Sequence, residues 1–144
     1  METKILTLRQ KLQKIQLELS VPKNQRNSFG NYNYRSCEDI LEALKPLLEK
    51  YQCLIVIGDN IEQVGDRYYV KAVATIKDIE STEEQFVTSY AREEETKKGM
   101  DGSQITGASS SYARKYALNG LFLIDDTKDA DTQNNREEKD VVNF

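Results

Sequence analysis

Between Gln104 and Leu118 the sequence reads QITGASSSYARKYAL. Small and hydroxyl residues, Thr106 through Ser111, run straight into an aromatic and basic cluster of Tyr112, Arg114, Lys115 and Tyr116. Such residues could cradle a phosphate, present a nucleophilic serine, or bind a polyanion without any chemistry. A nucleotide-phosphate loop needs spaced glycines ending in Lys-Ser or Lys-Thr, because backbone amides and that lysine hold the phosphates. Gly99, Gly102 and Gly107 are not followed by such a pair, so ATP-driven recombinase or helicase activity is not expected. The chain has no histidine, so Ser109, Ser110 and Ser111 lack the usual general base. The segment GASSS also lacks the second glycine of a nucleophile elbow.

The sequel, LFLIDDTKDAD, raises the question of a metal. With Asp125, Thr127, Asp129 and Asp131 at the first, third, fifth and seventh positions of a calcium loop, Ala130 stands where glycine is needed. Arg136 stands where the bidentate glutamate belongs. Cys37 and Cys53 match no metal spacing and read as reduced, partly buried thiols. No catalytic residue, metal ligand or cofactor is expected, which leaves binding.

Charge is distributed in a way that suits a polyanion. The net charge of −4 resides in residues 125–144, where Asp125, Asp126, Asp129, Asp131, Glu137, Glu138 and Asp140 outweigh Lys128, Arg136 and Lys139. The body is neutral but uneven. One basic island holds Lys23, Arg26 and Arg35 with no acid between Leu19 and Cys37, and a second holds Lys97, Lys98, Arg114 and Lys115 against Asp101.

The elements that must position these residues follow from periodicity. At 144 residues, 38% hydrophobic and 31% charged, the chain makes one domain able to bury a core. No apolar stretch suits a membrane span, and the N-terminal METKILTLRQKLQK lacks a signal core. Ile5, Leu8, Leu12, Ile15 and Leu19 predict an amphipathic helix over 3–19, ended by Val21-Pro22. A polar loop leads to a short strand around Tyr32 to Arg35. Ser36 then caps a helix over 37–50 that carries Ile40, Leu44, Leu47 and Leu48, with Pro46 predicting a kink or an early end.

An apolar run, Cys53 to Ile57, precedes a hairpin turn at Gly65-Asp66. After the turn Tyr68, Val70, Ala72, Ala74 and Ile76 face one way, and Arg67, Tyr69, Lys71, Thr75 and Lys77 the other. A strand from Gln85 to about Glu95 completes a meander. The last helix, over 103–119, places Ile105, Tyr112, Ala113, Tyr116 and Ala117 on a core-facing stripe. Ser103, Gly107, Ser110 and Arg114 line one flank, and Gln104, Ser111 and Lys115 the next. The order α-β-α-β-β-β-α predicts an α+β fold: a three-stranded antiparallel meander plus a short early strand, packed by helices. Residues 1–124 are the expected domain and 125–144 an acidic, disordered tail.

On that frame the signature helix offers hydroxyls and amides to phosphate, and Arg114 and Lys115 supply charge. Tyr32, Tyr34 and Arg35, and Arg67, Tyr69 and Lys71, combine rings and bases as single-strand binding requires. Tyrosines on strands are equally consistent with half-buried packing. A protein-interaction module using the first helix and the acidic tail, or an RNA-binding module, are the rival readings.

QITGASSSYARKYALNGLFLIDDTKDAD resembles the C-terminal half of the conserved domain of the ERF (essential recombination function) family of phage proteins. KNQRNSFGNYNYRSCEDILEALKPLLEKY, Lys23 to Tyr51, resembles an earlier block of that family, and the two with their spacer cover about residues 20 to 131. The resemblance implies ATP-independent annealing of complementary single-stranded DNA in phage recombination, on homo-oligomeric rings or filaments in the bacterial host cytoplasm. A single-stranded-DNA-binding protein or an exonuclease is an implied partner. By position, Gly107, Tyr112, Arg114, Lys115 and Tyr116 form the core of the signature helix, with Lys23, Asn27, Tyr32, Tyr34 and Arg35 in the earlier block. Arg26, Arg67, Lys71, Lys97, Lys98, Ser110 and Ser111 complete the expected DNA-contacting set. Family members often continue well beyond the acidic segment, and the short acidic tail ending in Phe144 is similar to the partner-recruiting tip of bacterial single-stranded-DNA-binding proteins.

Overall fold

The computed structural model describes residues 5–93 and 100–125. Three strands carry the domain: β3 (Cys53–Val64), β4 (Arg67–Asp78) and β5 (Glu84–Glu93), antiparallel in that order. The turn between β3 and β4 is Gly65-Asp66, and Gly65 has the left-handed φ of 61° that favours glycine. Pairing runs from Val64↔Arg67 down to Cys53↔Asp78. β3 is therefore far longer than its apolar run, because ladder bonds to β4 hold the polar second half as well.

Alternation along β4 sets the two faces of the sheet. Val70, Ala72, Ala74 and Ile76 are buried, whereas Tyr68, the expected first member of that row, is exposed. Near the turn Ile61, Val64 and Tyr68 remain exposed. The opposite face is open to solvent and carries exposed Leu54, Val56, Phe86 and Tyr90.

Helix α3 (Gly102–Phe122) packs on β4 and β5. It buries Ile105, Ser109, Ala113, Ala117, Leu118, Leu121 and Phe122. Tyr112 and Tyr116 do not join this stripe: they are 50% and 47% exposed and stack on each other with ring centroids 6.1 Å apart. Ala113 and Ala117 share one buried core cluster with Ala72 and Ala74, and a core built of such small residues at full exclusion of solvent has no room for a phenol ring. The buried row steps Ile105, Ser109, Ala113, Ala117, and it turns both tyrosines to the side.

Helix α1 (Leu8–Glu18) starts later than its apolar spacing suggests, and Ile5 is exposed. Thr7 and Gln10 form a reciprocal capping box that fixes the start. Helix α2 (Cys37–Tyr51) begins at the expected cap, Ser36, in a box with Asp39, whose carboxyl the Ser36 backbone amide holds below its ordinary value. Pro46 does not end α2, because Leu47, Leu48 and Tyr51 beyond it still pack on the core. The proline itself lies on the exposed side.

A polar stretch expected as loop instead forms β1 (Gln25–Asn27), paired with β2 (Tyr32–Tyr34) in a separate two-stranded sheet. Asn27 stabilises the intervening turn by accepting from the Phe29 and Gly30 amides. Cys37 and Cys53 are buried free thiols, and burial raises both pKa values. Among the described residues no helix is long and apolar enough to cross a membrane. Lys97, Lys98 and the acidic tail beyond Asp125 lie outside the described residues.

Candidate nucleic-acid interface

The hydroxyl-rich start of α3 turns out to seat the helix. The Thr106 hydroxyl donates to the Glu93 carboxylate, and Ser109 donates to the Arg92 carbonyl at 3.3 Å, both on β5. On the other flank Ser110 donates to Asp59 of β3. Together these bonds fix the helix across the sheet. The start itself is set by a capping box between Asp101 and Gln104.

Asp59 also accepts from Arg114 Nε at 3.1 Å. The bond from Ser110, then that from Arg114, holds the Asp59 carboxyl below its ordinary value against the opposing effect of burial. Arg114 is thus aimed along the helix flank by an acid that sequence reading did not single out. Asp59 lies beyond the apolar run of β3, in the row of Ile55 and Ile57 that faces the helices, so only a full-length β3 would have found it.

One residue further along, Lys115 points to the β1–β2 hairpin. Its Nζ stands 5.4 Å from the centre of the Tyr34 ring, a cation–π contact. Tyr34 and Tyr32 share a face of the hairpin with ring centroids 6.1 Å apart, and the Tyr32 hydroxyl accepts from Asn27 at 3.0 Å. The fold therefore brings together Lys115, Tyr34, Tyr32 and Asn27 from two distant blocks, with Arg114 on the adjoining flank.

Other expected residues are placed elsewhere. Arg26 lies on the opposite side of the hairpin, bonded to Asn33 at 3.2 Å and to Asn31. Arg35 spans backbone, donating to the Val21 carbonyl at 2.9 Å and to the Asp125 carbonyl at 3.4 Å. It joins the entry to β1 with the exit from α3. Lys23 is half-buried on the segment before β1. Arg67 and Lys71 belong to the open sheet face, away from α3, and Lys71 lies 3.4 Å from Glu62. Gly107 and Ser111 lie on α3, Gly107 exposed and with open space where a Cβ would stand. Two residues not singled out, Tyr90 and Arg92, line a cleft beside α3 together with Tyr112 and Tyr116.

The structure is an α+β domain with a basic and aromatic seam along α3, and comparison gives it its family. The model of the ERF superfamily matches residues 8–143, and the chain belongs to that family. It is 58% identical over 132 residues to the Essential recombination function protein of Salmonella phage P22. That match covers 92% of this chain and 62% of the relative, so the chain spans about six tenths of the length of the curated relative it matches. No solved structure matches it.

Proposed function

We propose that this chain is a phage recombination protein that binds single-stranded DNA and anneals complementary strands without ATP, acting as a homo-oligomer. The observation that carries the reading is the seating of Lys115 over the Tyr34 ring. It joins the two family-like blocks in one surface where cations and rings alternate. Phosphates meet Lys115 and Arg114 there, and bases meet aromatic faces.

Annealing by such a surface needs no catalytic group. Neutralised phosphates let two strands approach, a held strand presents its bases for pairing, and the duplex formed supplies the driving force. A subunit whose body is neutral gains a strong field only where several such surfaces line up, which supports an oligomeric form. The name of the P22 relative, 58% identical, supports a place in phage recombination.

The test is annealing of complementary oligonucleotides without nucleotide or metal. The wild-type chain should accelerate it, with affinity falling steeply as salt rises. The double variant Arg114→Ala, Lys115→Ala should lose most of the acceleration while keeping its circular dichroism spectrum. No acceleration by the wild type would refute the proposal.

A further inference from the structure

The cleft between α3 and the edge strand β5, of about 360 Å³, is lined by Tyr90, Arg92, Ala108, Ser109, Tyr112 and Tyr116. That volume falls at the small end of ligand sites, roughly 300–1,000 Å³. Tyr90, Tyr112 and Tyr116 are each about half exposed, at 48%, 50% and 47%. The protomer leaves the Tyr112 and Tyr116 rings exposed at this opening although burial of such rings is a main source of core stability.

Geometry sharpens the purpose. Tyr112 and Tyr116, one turn apart, stack with their planes only 30° apart, so the pair offers its outer ring face as a platform beside the opening. Small residues, Ala108 and Ser109, leave depth at its base, and the edge of β5 from Tyr90 to Arg92 forms its far wall. Tyr116 directly follows Lys115, so the platform and the Tyr34–Lys115 contact lie about 100° apart around the same helical turn. A chain crossing the outside of α3 meets phosphate-binding charge on one side and a ring platform on the other.

We infer that this cleft is a base-stacking site, taking unpaired nucleobases of a single strand against the exposed rings of Tyr112 and Tyr116. The inference rests on the single-strand reading above and adds where bases are held. An exposed aromatic platform suits any π-face and discriminates little among sequences, as an annealing protein requires.

Binding by the full chain should be measured to an oligothymidylate carrying one 2-aminopurine, and to an abasic strand with the same phosphates. The variants Tyr112→Leu and Tyr116→Leu should each lose about tenfold in affinity for the base-bearing strand, and should lose the 2-aminopurine quenching. Both should bind the abasic strand as the wild type does. Tyr112→Phe and Tyr116→Phe keep the ring and should restore affinity and quenching. Leucine variants that bind the base-bearing strand like wild type overturn this inference alone, as does an equal loss on both strands. A changed sedimentation coefficient with base preference intact would assign the cleft to another copy of the chain and also overturn it. If the wild type binds neither strand, the proposed function itself falls.

Discussion

The Asp59 carboxylate stands 3.1 Å from Arg114 Nε, joining the middle of β3 to the flank of α3. It positions the guanidinium and also neutralises it, so a DNA phosphate and Asp59 compete for one cation. Asp59→Asn should tighten oligonucleotide binding by about three- to tenfold and steepen its salt dependence by about one phosphate contact. Fluorescence anisotropy at two salt concentrations checks this, and unchanged or weaker binding would mean that Asp59 serves to aim Arg114. Both side chains are partly exposed, so the stability lost should be only about 0.2–1 kcal/mol. Since the folded Asp59 carboxyl is depressed, its contribution is complete above the ordinary carboxylate range and disappears only as pH falls through the lowered value.

Lys11 is 2% exposed and bonds Asp78 at 2.7 Å and Glu80 at 2.6 Å. Burial alone would discharge both Lys11 and Asp78, but hydrogen bonds and opposite charge outweigh it, moving Lys11 up and Asp78 down. The Lys11 contribution is present below the ordinary lysine value and is lost as pH rises through the raised one. The Asp78 contribution is present above the ordinary carboxylate value and is lost as pH falls through the lowered one. Denaturant midpoints should therefore show no change from this pair between about pH 4 and pH 10, and a decline on either side.

Asp78→Asn leaves the buried ammonium with only the half-exposed Glu80 as its carboxylate partner and should cost about 2–3 kcal/mol. Lys11→Met with Asp78→Asn should cost clearly less than the two single changes added together. Additive losses in urea unfolding would contradict a coupled buried pair.

Gly107 has open space where a Cβ would stand, so packing within the protomer does not call for it. Gly107→Ala should stabilise α3 by roughly 0.5–1 kcal/mol and raise the melting temperature by a few degrees. If a strand or neighbour approaches the helix closely there, oligonucleotide affinity should fall in the same variant. A stabilised variant with unchanged binding would remove Gly107 from the interface.

Tyr34→Leu removes the ring beneath Lys115 while keeping an apolar side chain on β2. It should lower affinity by about three- to tenfold without reducing the salt slope, whereas Lys115→Ala should reduce that slope by about one. Titrations with oligonucleotide across a salt series separate the two.

Much of the frame was legible in local pattern. The alternation of Val70 to Ile76, the Gly65-Asp66 turn and the Ser36 cap each act within a few residues, and each is found where expected. The failures have one physical source, contacts between distant elements. Gln25–Asn27 has no apolar row, and it is a strand only because β2 pairs with it. Pro46 is tolerated because core contacts continue past it. Tyr112 and Tyr116 fit an apolar stripe on a helical wheel, but a core of small alanines from β4 and α3 has no room for them. The Lys115–Tyr34 contact could be suspected from residue types, whereas the partner of Arg114, fifty-five positions away, could not.

The β3–β4 hairpin is braced by α3 at two points. From Asp59, held by Ser110 and Arg114 on α3, the strand continues about 20 Å to its turn. Gly58, beside that anchor, has no neighbour within 4 Å of a would-be Cβ. β4 stays paired with β5 as far as Tyr68↔Glu93, and Thr106 of α3 holds Glu93. The helix therefore clasps both outer strands, and a load on exposed Ile61 or Val64 near the tip is shared between the Asp59 and Glu93 anchors.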